Sequence, residues 1–118
     1  MNRLEATAEQ QRVLAKAVMN VTTQLNLTHV QLAEILGLDP LSMAQLEALP
    51  ELDPQTESGQ REMFLVQIFK RLFATTGGDA VWMQQFMQSP NQMTHGIPVE
   101  QMKSLNGMKN ILAFLNMQ

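Results

Sequence analysis

Cysteine and tyrosine are absent from this 118-residue chain, tryptophan occurs once and histidine twice. Without cysteine there is no disulfide framework, no thiolate zinc site and no cysteine nucleophile. His29 and His95 stand far apart, and neither has a histidine or carboxylate at metal-site spacing. No glycine-rich phosphate loop follows a strand pattern, and Ser89 and Ser104 have no recognisable base near them. These gaps lead to the expectation of no enzyme, no cofactor and no metal. No run reaches the roughly 18 apolar residues of a membrane span. Residues 1–14 lack the apolar stretch of a secretory signal. The expected protein is soluble and cytoplasmic, with no membrane partner.

Basic residues are missing from one long segment. Residues 17–60 hold no lysine or arginine, while Glu34, Asp39, Glu47, Glu51, Asp53 and Glu57 all fall there. The net charge of −3 therefore averages an acidic middle with two mildly basic ends.

What is present reads as helix throughout. A composition 45% hydrophobic and 16% charged suits a folded domain. Thr7 and Gln10 make a capping box for a helix over 7–25, whose stripe Val13, Leu14, Ala17, Val18, Val21 and Leu25 should face inward. Thr28 and Gln31 repeat that cap before a short helix with Leu32, Ile35 and Leu36 inward, ended by Gly37. Asp39-Pro40 opens a third helix to about Leu49, with Leu41, Met43, Leu46 and Leu49 as its apolar set. A linker over 50–59 leads to the most apolar helix, roughly 58–75, which should lie between others. Gly77-Gly78 stops it, and Asp79 caps a helix over 79–88 carrying Val81, Trp82, Phe86 and Met87. After Ser89-Pro90-Asn91, Pro98 opens a short helix and a last one spans roughly 104–116. No strand pattern alternates. The expected fold class is all-α.

The short helix, glycine turn and second short helix over 28–49 have the geometry of a helix-turn-helix. Thr28, Gln31, Ser42 and Gln45 are its candidate DNA-contacting residues, since such side chains can bond base edges or phosphates. The candidate recognition helix carries no cation, however, and phosphate affinity depends on lysine and arginine. Operator DNA is thus disfavoured, unless Arg3, Arg12 and Lys16 supply the phosphate contacts.

Gln31-Leu-Ala-Glu-Ile-Leu-Gly37 looks like the first helix of an Xre-type helix-turn-helix. Behind it follow Phe69-Lys-Arg-Leu-Phe73, Gly77-Gly78-Asp79, Phe86-Met-Gln-Ser-Pro-Asn91, Gly96-Ile-Pro98 and Leu105-Asn-Gly-Met…Ile111-Leu-Ala-Phe-Leu115. In that order and spacing, from about Thr7 to Gln118, the chain resembles the Xre/MbcA/ParS antitoxin family. The resemblance implies a helix-turn-helix region over 1–54 packed with a toxin-binding region over 55–118. It implies a RES-domain, NAD-consuming toxin as partner, within a homodimer or a larger complex with that toxin. The toxin-binding residues it implies are Trp82, Phe86, Asn91, Gly96, Pro98, Ile111, Phe114, Leu115, Asn116, Met117 and Gln118, with 111–118 as the element that occludes the toxin's entrance. The ending Phe114-Leu-Asn116 departs from the family's common Tyr-Leu-Asp.

Read from the residues alone, several of these positions have plainer roles. Trp82, one turn before Phe86, has the spacing of a core residue, and Asn91 that of a turn cap. Gly96 and Gly107 suit backbone geometry, while His29 and His95 suit the surface. Six of the ten methionines follow residue 80. They fill a core, or, at positions such as Met108 and Met117, mould to a partner. The alternative function is a DNA-binding regulator with no toxin.

Overall fold

Thr7 and Gln10 close the first helix reciprocally: the Thr7 hydroxyl accepts from the Gln10 amide, and the Thr7 amide donates to the Gln10 side-chain oxygen. The computed structural model describes residues 7–51, 53 and 55–118, so Arg3, Leu52 and Pro54 lie outside the described residues. From that cap α1 runs over Ala8–Gln24. Thr28 and Gln31 form a second such cap, and α2 spans His29–Leu36 to Gly37, whose φ of 71° is the left-handed conformation glycine adopts without strain. The Asp39 carboxylate accepts from the Ser42 amide at 2.7 Å, and with Pro40 in the first position it starts α3, Pro40–Ala48.

Thr56 caps α4, Glu57–Thr76, the longest helix, which ends on the left-handed pair Gly77-Gly78. Asp79 accepts from the amides of Val81 and Trp82 to begin α5, Ala80–Gln88. A loop then leads to α6, Pro98–Gln101, and α7, Leu105–Asn116, capped by Ser104. The protein is all-α. Among the described residues the one strand-like feature is an isolated bridge between Asn91 and Gly96.

The apolar content of α4 decides the architecture. A helix apolar over much of its circumference needs neighbours on several sides. α7 covers α4 most extensively, and α1, α2 and α5 pack on its other sides. Leu65, Ile68 and Leu72 of α4 join Val18, Val21, Leu32, Ile35, Met83, Met108 and Ile111 in one buried cluster. Side chains on both sides of residues 54 and 55 therefore share a core.

Arg61 of α4 ties the two ends of the chain together. Its Nη1 donates to the Lys103 carbonyl at 2.9 Å, in the turn before α7, and its Nη2 to Glu57 at 3.2 Å. The same guanidinium lies against Gly37 at the end of α2. Lys103 adds a second tie, pairing through Nζ with Glu34 of α2 at 2.9 Å and Glu100 of α6 at 2.6 Å.

Burial corrects the sequence reading at several positions. On α1 the inward face is Ala15, Val18, Val21 and Leu25, whereas Val13 is 63% exposed. The apolar stripe is wider than the face α4 covers, so its Val13 edge is left outside. On α3, Met43 and Leu46 are buried but Leu41 and Leu49 face solvent, because α3 packs only lightly on the other helices. Trp82, expected in the core from spacing alone, is 67% exposed. α5 buries Met83 and Met87, and the indole projects beside that buried edge.

Candidate functional site

Residues 28–49 form a short helix, a left-handed glycine and a second short helix, and the Thr28 and Gln31 side chains are engaged within the protein. The Thr28 hydroxyl accepts from the Gln31 amide, and the Gln31 side chain returns to the Thr28 amide at 3.0 Å and donates to Gln88 of α5 at 3.2 Å. Thr28 and Gln31 thus build the cap that starts α2. Ser42 gives its amide to Asp39, and these hydrogen bonds hold the Asp39 carboxyl below its ordinary value, so a negative charge persists at the start of α3. Gln45 is exposed and free to contact a partner.

Beside α3 lies an open groove of about 650 Å³, walled by Leu38, Leu46 and Leu49 and edged by Gln45, Glu51 and Asp53. Three cations of the neighbouring elements are engaged. Arg12 pairs with Glu51 at 3.4 Å, Lys103 with Glu34 and Glu100, and Arg61 with Glu57. A phosphate backbone approaching α3 would meet carboxylates and apolar side chains, and α3 itself carries no cation to displace its counterions.

The second candidate region lies on α5, α6, α7 and the loop between them. Asn91 organises that loop. Its side-chain oxygen accepts from the Met93 amide at 2.8 Å and the Thr94 amide at 3.2 Å, while its backbone exchanges bonds with Gly96. His95 takes a positive φ of 66° in the same loop and is exposed. Gln101 donates from Nε2 to the Thr94 carbonyl and packs over Gly96, where a β-carbon would sit 3.0 Å from that amide. Pro98 is buried at the start of α6. Asn91, Gly96 and Pro98 therefore shape the loop, and the Asn91 side-chain oxygen is spent within it.

Phe86 of α5 and Phe114 of α7 stack, with centroids 6.2 Å apart and planes within 6°. Ile111, Leu115 and Met108 of α7 are buried and hold the helix to the core. Of the implied contact residues, those that face outward are Trp82, 67% exposed, with Asn116, Met117 and Gln118 at the end of α7. Sequence reasoning missed two exposed apolar residues on α5 and the loop after it, Val81 and Met93. Val81 adjoins Trp82 in the chain and carried a signal; Met93, in an irregular loop, carried none.

A buried carboxylate was also missed. Glu62 of α4 is fully buried, and neither carboxylate oxygen has a hydrogen-bond partner among the described residues. Burial pushes its pKa up to about 8. Its position was legible as a phase: Glu62 keeps the three- and four-residue spacing of Leu65, Ile68 and Leu72.

Among the described residues no three His, Asp or Glu side chains gather to hold a metal ion, and no helix is long and apolar enough to cross a membrane. No family model matches the chain, and no curated protein matches it either.

Proposed function

We propose that this protein is an antitoxin that binds and blocks a RES-domain, NAD-consuming toxin through its 55–118 region, acting in the cytoplasm. The resemblance supplies the toxin class. The observation that carries the reading is the outward placement of Trp82 on α5 and Met117 beyond α7, 67% and 78% exposed, on helices joined by the Phe86–Phe114 stack. A large aromatic held in the open on a rigid helix suits a protein interface, where such residues supply much of the binding energy. Asn116, Met117 and Gln118 are then the residues that reach the toxin's entrance. The test is co-expression with a RES-domain reading frame from the same locus. Restored growth and a co-purified complex, both lost in Trp82→Ala with Met117→Ala, are expected; a harmless neighbour with nothing co-purified overturns the proposal.

A DNA-binding regulator is the second reading, favoured by the α2–Gly37–α3 arrangement and opposed by the acids around it. Operator binding would fall steeply as salt rises, whereas an apolar toxin interface would not. A salt titration of each complex separates the two.

A further inference from the structure

α2 and α3 leave between them an apolar groove that the core does not fill. Val30 and Ala33 of α2, Leu38 of the turn, and Met43 and Ala44 of α3 line about 410 Å³ of open space. Ala33 and Ala44 put only a methyl group on each wall, so the groove stays open between them. Val30 is 67% exposed, while Leu32 and Ile35 on the other face of α2 hold the helix to the core. Glu34 of α2 and Glu47 of α3 stand one on each wall. Residues 17–60 hold no lysine or arginine to offset them. Lys103 reaches Glu34 but is shared with Glu100, and Glu47 meets the His29 imidazole, which is charged only when protonated. Asp39, in the turn, stays ionised through the amide it accepts from Ser42. The groove is apolar inside and negative at its rim.

We infer that this groove takes a basic amphipathic helix of a partner protein, its apolar ridge seated between α2 and α3 and its lysines or arginines against Glu34 and Glu47. An apolar trough between two helices accepts the ridge that a third helix builds at three- and four-residue spacing. The charges choose the partner. A carboxylate on each wall repels nucleic acid, an anionic bilayer and an acidic helix alike, and attracts a helix with cations on both borders of its stripe. These rim pairs discriminate between partners, while the apolar seat supplies most of the affinity. The groove lies on α2 and α3, outside the 55–118 region, so the inference goes beyond the toxin reading and does not rest on it. It gives the α2–Gly37–α3 unit an occupant opposite in charge to DNA.

The probe is a model peptide of about 15 residues, with leucine at three- and four-residue spacing and lysine on both borders of that stripe. Its twin carries glutamate for every lysine. Titrated into the isotope-labelled full chain, the lysine peptide is expected to move the amide resonances of residues 29–34 and 40–47. It should bind about ten-fold tighter than the glutamate peptide. Ala44→Arg, at an exposed position, fills the groove with a cation and should weaken the lysine peptide about ten-fold. Glu47→Lys should narrow the preference between the two peptides, a comparison that stands even if Ala44→Arg fails to fold. Equal binding of both peptides, full affinity in Ala44→Arg, an unchanged preference in Glu47→Lys, or shifts confined to Val81, Trp82 and Met117 overturns the inference. So does duplex DNA that moves the same amides more strongly at equal salt. Dilution of the chain alone that moves them overturns it too, by assigning the groove to a second copy.

Discussion

Gly107 and Gln101 touch through their backbones: a β-carbon at residue 107 would collide with the Gln101 carbonyl oxygen. That contact sets α6 against the first turn of α7 and fixes the angle at which α7 comes back over α4. It also inverts the propensity argument. Glycine within a helix normally gives way to alanine with a gain of about 0.5–1 kcal/mol.

Gly107→Ala is expected instead to destabilise the protein by about 2–3 kcal/mol, as overpacking against backbone does. Urea denaturation checks it. A rise in the midpoint would mean that α6 and α7 separate with ease.

Stability should fall as pH rises through neutrality, because of Glu62. Its folded pKa of about 8 stands above its ordinary value of 4.5, so the folded state holds the proton more tightly than the unfolded one. Below 4.5 both states are protonated and no penalty exists. It grows between 4.5 and 8, then levels off. Glu62→Gln should flatten this slope, gaining about 2 kcal/mol or more at pH 8 and little at pH 4.5. Thermal midpoints of both proteins over that range are the measurement; parallel curves would contradict the assignment.

Neighbouring residues on α5 should behave in opposite ways. Trp82→Ala removes a largely exposed indole and should change stability by no more than about 0.5 kcal/mol. Met83→Ala empties a fully buried site and should cost about 2–5 kcal/mol. Chemical denaturation of the pair distinguishes a displayed tryptophan from a structural one. A large loss for Trp82→Ala would return it to the core.

The helix boundaries were largely legible in the sequence because caps are local chemistry. Thr7, Thr28, Asp39, Asp79 and Gly37 each act within a few residues of themselves, and each does in the structure what its spacing predicts. Which face of a helix is covered is decided by partners distant in the chain. Val13, Leu41, Leu49 and Trp82 belong to apolar sets wider than the neighbours that arrive to cover them. The Asn91 turn was readable for the same local reason as the caps. The ties from Arg61 to Lys103 and from Lys103 to Glu34 of α2 were not, since sequence spacing says nothing about contacts across 42 or 69 positions.

Arg61 begins the second half of the chain yet completes the first. It seals the turn that closes α2 and in the same grip holds the turn that launches α7. The α2–Gly37–α3 unit is consequently no cassette. A recombination event joining residues 1–54 to a different C-terminal partner would strip α2 of its clamp and α1 of the wall it packs against.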